Sequence, residues 1–361
     1  MLVKAFRSGQ KLRVLLCGYY GEHNLGDDAL LQVLVSQVPA DWDVVVTARD
    51  SDAVHALVHG VSTVNRRSLS ATLQALKHVD AFVLGGGSLL QDGTSFKSLV
   101  YYLILLWSAR FQRIPILLWG QGLGPLKHSF SRFLVKHTLS GVRAASWRDP
   151  ASMGLAQRWK LNVPMVMGPD PVWRHPSPLW LGGDRLILCW RPTPLLDSMG
   201  WSVLLQAVEQ FSASGVSQVI WLAFHADQDA SLWDDLSSRD LIPDGLKRRS
   251  IQVQAKSLEQ VQSLFREAAL VIAMRLHALI LAATAGCPTA ALSYDPKVKA
   301  AAQLADLPWL DLNSQLNIDV LKHQWQMEIE AQRDCSQIED LKNAAQLHQT
   351  MLVEQLNELS L

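Results

Sequence analysis

The sequence predicts two α/β domains, each built on a doubly wound parallel sheet, followed by a helical C-terminal tail. Short apolar runs alternate with helical patterns along most of the 361 residues, and strand–helix alternation of this kind is typical of parallel sheets. Residues 168–178 carry four prolines and interrupt the alternation, which restarts after them. Because prolines at this density do not fit inside regular elements, we interpret the segment as a linker.

The expected organisation is an N-terminal Rossmann-like domain over residues 1–168, a linker over 169–184, a C-terminal Rossmann-like domain over 185–313 and a tail over 314–361 that could pack back on the first domain. Ligands of open parallel sheets bind beyond the carboxyl ends of the strands, so loops that follow strands are the informative ones. The expected strands are Leu12–Cys17, Asp43–Thr47, Asp80–Leu84, Pro115–Trp119, Arg143–Trp147, Leu186–Trp190, Gln218–Ala223, Leu270–Met274 and Thr289–Leu292, and the expected helices include Asp28–Val38 and Phe96–Phe111.

Charge and cysteine usage exclude several functional classes. The chain has 33 basic and 33 acidic residues and no long basic run, which argues against a nucleic-acid partner. The four cysteines, Cys17, Cys189, Cys287 and Cys335, lack metal or redox spacing, as expected of reduced residues in a cytoplasmic protein. The longest apolar run, Leu99 to Trp107, is too short to span a bilayer, although weak membrane association stays open.

A glycine-rich segment, Gly18 to Asp28, follows the first expected strand and precedes a helix. Its glycines allow tight turns and close approach to a ligand, and the helix start presents free N–H groups. The spacing matches neither a dinucleotide fingerprint nor a phosphate-binding loop. Because acidic residues here would repel a phosphate, we expect Gly21, Asn24 and Asp27 to contact a sugar hydroxyl. The alternative is an ordinary turn with a helix cap.

Two further glycine segments are expected to close strands. Residues 85–88 read Gly-Gly-Gly-Ser, and residues 120–125 read Gly-Gln-Gly-Leu-Gly-Pro. Consecutive glycines carry a high entropic cost unless bare backbone is needed. We therefore expect Gly86, Gly87, Ser88 and Gln121 to line a binding site.

Cationic residues follow other expected strands. Arg148 precedes Asp149, a good helix cap, and the alternative to a functional role is a surface pair between these two side chains. Arg275 and His277 lie between one expected strand and a helix, and Lys297 follows the next strand. Neighbouring strand ends would bring Arg275, His277 and Lys297 together, although a histidine at this position could also simply cap the helix. Arg191 follows the first strand of the second domain and could be an ordinary loop residue.

Five segments resemble the sequence signatures of polysaccharide pyruvyl transferases and occur in that family's order. They are GYYGEHNLGDDALL, LGGGSLLQD, GQGLGPL, SWRDPAS and, most specifically, AMRLHALILAATAGCPTAALSYDPKV. The resemblance covers about residues 12–300 and is greatest to the bacterial cell-surface-anchoring subfamily. It implies a GT-B-like fold, in which two Rossmann-type domains face a cleft, with the acceptor on the N-terminal side and the donor on the C-terminal side.

The resemblance also implies the reaction. The pyruvyl group of phosphoenolpyruvate would move onto two hydroxyls of a sugar in a cell-surface or exported polysaccharide, forming a ketal and releasing phosphate. Arg148, Arg275, His277 and Lys297 are implied to carry this function. Planar guanidinium groups suit a carboxylate and a phosphate, so we expect the two arginines to clamp the donor with help from Lys297 and Arg191. His277 is expected to transfer protons as acid or base.

Two other functions remain open on these residues. A GT-B nucleotide-sugar glycosyltransferase would usually show an acidic residue in the second domain for ribose hydroxyls, and we identify none. A non-catalytic phosphoenolpyruvate-binding protein could dispense with His277, which is present. We expect no cofactor and no metal, because the histidines are dispersed without ligand spacing. The expected partners are phosphoenolpyruvate and a glycan or lipid-linked glycan acceptor.

Overall fold

Two all-parallel sheets organise the chain, one in each of two units. The structure, a computed structural model, describes residues 11–93, 95–213, 215–331 and 336–361. The first unit comprises the residues up to Glu22 together with Leu30–Pro171 and Ala345–Leu361, and the second comprises His23–Ala29 and Val172–Ala344. The predicted pair of Rossmann-like, parallel-sheet folds is confirmed.

The first unit contains seven strands and the helices that connect them. The strands are β1 (Leu12–Tyr20), β2 (Trp42–Ala48), β3 (Ser62–Asn65), β4 (Ala81–Leu90), β5 (Ile116–Leu123), β6 (Ala144–Trp147) and β7 (Met165–Met167). The helices are α1 (Leu25–Gln37), whose first residues belong to the second unit, α2 (Ser51–Leu57), α3 (Leu69–Leu76), α4 (Phe96–Phe111), α5 (Ser129–Leu139) and α6 (Pro150–Arg158). The sheet order is β3-β2-β1-β4-β5-β6-β7. Every residue of β5 is buried, as expected for a parallel sheet covered on both faces.

The second unit contains six strands. They are β8 (Arg185–Cys189), β9 (Gln218–Ala223), β10 (Ser250–Gln254), β11 (Ala268–Ala273), β12 (Thr289–Ser293) and β13 (Trp309–Asp311). The helices are α7 (Ser198–Ser212), α8 (Ala226–Asp229), α9 (Leu232–Ser238), α10 (Asp244–Arg249), α11 (Leu258–Arg266), α12 (Leu276–Thr284), α13 (Pro296–Leu304), α14 (Ile318–Glu330) and α15 (Ser336–Ser360). The sheet order is β10-β9-β8-β11-β12-β13. The order reverses between β8 and β11, where ligands of such sheets usually bind.

Strands β4 and β5 run further than the sequence pattern predicted. β4 continues to Leu90 and β5 to Leu123, so both glycine segments lie within strands. The prediction that these glycines close their strands is therefore wrong. Gly86 and Gly87 adopt positive φ angles of 43° and 85°, which shift the register, yet the pairing resumes at Leu90 and Leu123. An irregularity of this kind bends a strand without ending it.

The C-terminal segment is helical, as predicted, and α15 belongs to the first unit from Ala345 onward. Within that unit Arg143 donates to Gln355 at 2.7 Å and pairs with Glu358 at 2.6 Å. His348 is fully buried, and its Nε2 lies 2.8 Å from the carbonyl oxygen of Pro169. Burial lowers the pKa of His348, so the neutral ring donates this hydrogen bond.

Cys17, Cys189 and Cys287 are buried and form no disulfide with one another, and Cys335 lies outside the described residues. Burial raises the pKa of Cys17 to about 11, so this thiol stays protonated at neutral pH. In the described ranges of the chain, no helix is long and apolar enough to cross a bilayer.

Candidate active site

In the first unit, Arg148 lies between the end of β6 and the start of α6. Asp149 caps that helix by accepting a hydrogen bond from the Ser152 N–H at 2.7 Å. The alternative interpretation, a surface pair between Arg148 and Asp149, is therefore wrong. The Arg148 guanidinium is instead buried, where it pairs with Asp170 at 2.8 Å and donates to Ser88 Oγ at 3.1 Å. Sequence reasoning missed Asp170, because it lies in the proline-rich segment interpreted only as a linker.

The absence of a side chain at Gly122 leaves space for the side chains of Arg148 and Ser88. A Cβ at Gly122 would overlap Ser88 Oγ and come within 3.1 Å of Arg148 Nε. Beside it, the fully buried Gln121 donates to two carbonyl oxygens of β4 at 3.3 and 3.2 Å. Its Oε1 has no hydrogen-bond partner among the described residues. The side chains of Ser88 and Arg148 are thus linked, and the Arg148 N–H donates to the Gln121 carbonyl oxygen at 3.1 Å, so these three residues form one polar group.

The glycines of β4 have different roles. A Cβ at Gly85 would overlap Leu34, and one at Gly86 would come within 2.9 Å of Leu30. Both leucines lie on α1, so close packing of this helix on the sheet explains these two glycines. Gly87 instead pairs with Gln121 in the register between β4 and β5. Of the three, Gly87 lies next to the polar group.

Gly21 and Glu22 fix the loop that follows β1. Gly21 has a φ of 66°, and a Cβ there would come within 2.8 Å of the Asp50 backbone. Glu22 is 2% exposed and pairs with three arginines: Arg49 at 3.0 Å, Arg66, and Arg67 at 3.2 Å. Sequence reasoning did not single out Glu22, because its partners follow β2 and β3 rather than the motif itself. These contacts explain Gly21 and Glu22 as anchors of the loop.

Residues 23–29, in the second half of the same motif, belong to the second unit. Asn24 forms an isolated antiparallel bridge with His225, and the Leu25 N–H donates to the Phe224 carbonyl at 3.2 Å. The Asn24 side chain accepts from the Gly26 N–H at 3.1 Å and donates to Asp27. These contacts agree with the alternative interpretation of this motif, in which Asn24 caps a helix. The sequence prediction had placed these residues in the N-terminal domain.

Gly26, in the first turn of α1, lies against His277. A Cβ at Gly26 would fall inside the His277 imidazole, so only glycine allows the ring to pack here. Helix α12 begins at Leu276, which puts His277 in its first turn. The structure therefore brings Asn24, Gly26 and His277 together within one unit.

Arg275 precedes α12 and is held by α8. Its Nε donates to Asp229 Oδ2 at 3.0 Å, its Nη2 pairs with Asp229 Oδ1, and Nη2 also donates to Gln228 at 3.1 Å. Nη1 has no partner among the residues that the structure describes. The Asp229 side chain is 1% exposed, so the pair is buried on the carboxylate side. Sequence reasoning missed Asp229, although an acidic residue soon after β9 was a signal that could have been weighed.

Asp28 lies in the first turn of α1, beside Asp27. Burial raises the pKa of Asp28 to about 7, and the negative charge of Asp27 adds to the effect. This carboxyl is therefore part protonated near neutral pH. An acidic group with such a pKa, in a helical turn that packs on a histidine, is a feature often found at functional sites.

Arg191 and Lys297 follow two strands on either side of β11. Arg191 Nη1 donates to the Tyr294 hydroxyl at 3.1 Å, and its guanidinium stacks over that ring at 4.8 Å. Lys297 opens α13, which Asp295 caps by accepting from the Lys297 N–H at 2.9 Å. Since β8, β11 and β12 are neighbours in the sheet, Arg191, Arg275 and Lys297 follow three adjacent strand ends. In the part of the chain that the structure describes, no group of three or more acidic, histidine or cysteine residues is arranged to hold a metal ion.

Solved structures with the same fold are distant in sequence. Alr3699/HepE of Anabaena, solved in complex with UDP and glucose, shares 12% identity over 96% of this chain and 98% of its own, with a TM-score of 0.60. UDP-GlcNAc 2-epimerase of Neisseria meningitidis, solved with UDP-GlcNAc, shares 12% identity over 96% of this chain and 100% of its own, with a TM-score of 0.61. At this identity the likeness shows the GT-B-like fold alone.

The sequence comparisons are more specific. A search of curated proteins found no match. The family model for polysaccharide pyruvyl transferase matches residues 24–296, which is most of the chain and includes Asn24, Arg148, Arg275 and His277. This chain therefore belongs to the polysaccharide pyruvyl transferase family and is a transferase.

Proposed function

We propose that this enzyme moves the pyruvyl group of phosphoenolpyruvate onto two hydroxyls of one sugar in a cell-surface polysaccharide, as in the bacterial cell-surface-anchoring subfamily. The observation that carries the proposal is the set of cations at three adjacent strand ends, with His277 beside Arg275. We place the reaction in the cytoplasm, on a glycan or a lipid-linked glycan. No cofactor or metal is required by this chemistry.

Arg275 is the main donor anchor in this proposal. In phosphoenolpyruvate the carboxylate is attached to carbon 2 and the phosphate to the oxygen on the same carbon, and a guanidinium forms charge-assisted hydrogen bonds to either group. Asp229 holds Arg275 through Nε and Nη2, which leaves Nη1 for the ligand. Lys297 and Arg191 add positive charge at the flanking strand ends. Within the first unit, Arg148, Ser88 and Gln121 are proposed as further ligand-binding residues.

His277 transfers the proton that starts the reaction. The methylene carbon of the donor takes a proton and becomes a methyl group, which makes carbon 2 electrophilic. The first sugar hydroxyl adds to carbon 2 and returns its proton to His277. The second hydroxyl then adds as the bond from carbon 2 to the phosphate oxygen breaks, and its proton leaves with the phosphate. Positioned histidines accelerate such steps by about 10²–10⁴-fold.

The test is incubation with phosphoenolpyruvate and a panel of synthetic and lipid-linked glycans. We expect phosphate release together with a glycan whose mass has increased by one ketal-linked pyruvyl group. In parallel, phosphoenolpyruvate should raise the melting temperature, because a ligand that binds only the native state stabilises it. UDP and NAD should not.

Two outcomes would contradict the proposal. A response to UDP without one to phosphoenolpyruvate would favour the glycosyltransferase function. Binding of phosphoenolpyruvate without phosphate release on any glycan of the panel would favour a non-catalytic binding protein.

A further inference from the structure

His225 is the feature of the second unit that the proposed function leaves unexplained. It follows β9 and is 3% exposed. Neither of its ring nitrogens has a hydrogen-bond partner among the described residues. Buried polar side chains are nearly always paired, so an imidazole with two unsatisfied nitrogens needs a reason.

The main chain fixes His225 beside the family's functional residues. Its N–H donates to Asp229 Oδ2 at 2.8 Å, and the same oxygen accepts from Arg275 Nε at 3.0 Å. On the opposite side it bridges to Asn24, in the loop that packs on His277. One network of hydrogen bonds therefore joins His225 to Arg275 on one side and to the His277 loop on the other.

Charges of both signs act on the His225 ring. They are Arg275 at the start of α12, Arg191 after β8, and Asp227 and Asp229 in α8. Burial lowers the pKa of His225, the two arginines lower it further and the two aspartates oppose them. The remaining side is covered by the loop of His23 and Asn24, whose backbone pairs with it. The ring is therefore neutral at neutral pH without a ligand.

We infer that His225 is a further donor-binding residue: its ring hydrogen-bonds the anionic group that binds at Arg275, and it takes up a proton as that group arrives. This inference rests on the proposed function, which supplies a donor of high negative charge. Such an anion reverses the local charge that disfavours a protonated imidazole. It also provides the partner that the ring nitrogens lack.

The test is calorimetric titration of phosphoenolpyruvate at neutral pH in two buffers with different ionisation enthalpies, which reports the protons taken up on binding. We expect wild-type protein to take up more protons than the ligand's own titration explains. His225→Gln should lose this excess. Its affinity for phosphoenolpyruvate should fall by about tenfold or more, as expected when a charge-assisted hydrogen bond is lost. His277→Gln leaves the His225 ring in place, so this variant should retain the excess proton uptake that the His225 ring contributes.

The matched control is His175→Gln. His175 is also buried in the second unit with a lowered pKa, but its ring is within hydrogen-bond distance of Gln262, at 3.3 Å. This variant should bind as the wild type does. Unchanged affinity and unchanged proton uptake in His225→Gln would overturn the inference alone. Failure of the wild-type protein to bind phosphoenolpyruvate would overturn the proposed function and the inference with it.

A second measurement follows the protonation of the His225 ring directly in the wild-type protein. In wild-type protein with ¹⁵N-labelled histidine rings, the signal of His225 should change from the neutral to the protonated form when phosphoenolpyruvate is added. The His225→Asn variant provides the assignment if His225→Gln does not fold. A ring that stays neutral in the complex would overturn the inference.

Discussion

Arg148 and Arg275 share a local sequence setting but differ in what surrounds them. Each follows a strand and precedes a helix, and each pairs with a buried aspartate, Asp170 or Asp229. The Arg148 side chain is 7% exposed, and both terminal nitrogens bind groups of its own unit. The Arg275 side chain is 13% exposed and keeps Nη1 without a described partner.

Under the proposed function, this difference distinguishes an arginine that anchors its surroundings from one that binds the ligand. A guanidinium whose terminal nitrogens are both engaged mainly stabilises its surroundings, whereas one held from one side only is oriented for a ligand. An aspartate that holds Arg275 through Nε and Nη2 limits its rotamers and so reduces the entropy lost on binding. The sequence shows two arginines at strand ends and cannot reveal this asymmetry.

The largest expected effects come from replacing each arginine in turn and comparing donor affinity and stability. Arg275→Gln should weaken phosphoenolpyruvate binding by about 2–5 kcal/mol, the usual loss when one partner of a desolvated charge pair is removed. Arg148→Gln breaks the buried pair with Asp170, as Arg275→Gln breaks the pair with Asp229, so the free energy of unfolding should fall by about 3–5 kcal/mol in both variants. The effect of Arg148→Gln on donor affinity should be the smaller of the two.

Calorimetric affinity and chemical denaturation of both variants provide the measurement. Arg113→Gln, a residue outside both groups, controls for the loss of one positive charge. Equal donor affinities in Arg148→Gln and Arg275→Gln would contradict the division of roles, and would restore a clamp made of two equivalent arginines.

His277→Gln should separate chemistry from binding within the second unit. Glutamine retains hydrogen-bonding ability but does not transfer a proton at neutral pH. We therefore expect turnover to fall by about 10²-fold or more, with donor affinity within about tenfold of the wild type. Phosphate release and melting temperature should be measured on one preparation. Near-normal turnover with a modest loss of stability would make His277 a helix-capping residue and leave Lys297 as the next candidate.

Two glycines test the same contrast without removing a functional group. Gly26→Ala places a methyl group where the His277 ring packs, so turnover should fall by about tenfold as the ring is displaced. Gly122→Ala crowds Ser88 and Arg148, and should lower stability by about 1–3 kcal/mol, as overpacking does.

The control for both is Gly154→Ala on α6. A Cβ there would meet only Arg158 Nη1, at 3.4 Å, so alanine should raise stability by about 0.5–1 kcal/mol. If Gly26→Ala behaved like this control, His277 would not depend on the bare backbone of the loop.

Much of the fold was predictable because apolar strands and helices alternate so regularly. Helix α4 has the predicted bounds, Phe96–Phe111. The strands β3, β7, β10 and β13 were missed, and each is short, partly exposed and at or near a sheet edge. Such strands lack the continuous apolar run that identifies buried parallel strands.

The candidate site was predictable only in part. Strand-end position made Arg275 and His277 candidates, because their place after a strand and before a helix can be read from the local sequence. Asp229 and His225 were missed because their role depends on contacts with residues far along the chain: Arg275 lies 46 residues from its aspartate. The contact between Gly26 and His277 is more distant still, and no local pattern encodes it.

A buried group in each unit should make stability depend on pH, and the two dependences should have opposite signs. Asp28, in the second unit, has a pKa raised to about 7, while the ordinary value for an unfolded aspartate is about 3.9. Between these values the folded protein binds a proton that the unfolded chain does not, so this group's contribution to stability falls as pH rises. His348, in the first unit, has a pKa lowered by burial. Its unfolded form binds the extra proton, so its contribution falls as pH drops below the ordinary histidine value of about 6.5.

Asp28→Asn and His348→Gln remove these two contributions separately. Relative to the wild type, Asp28→Asn should become more stable as pH rises from about 5 to about 8, by about 1 kcal/mol, since the α1 N-terminus partly offsets the cost of the carboxylate. His348→Gln should instead gain relative stability as pH falls over the same range. Denaturant unfolding at several pH values measures both trends, and Asp41→Asn controls for loss of one exposed carboxylate. If the two variants shifted in the same direction, burial of these groups would not be what governs their titration.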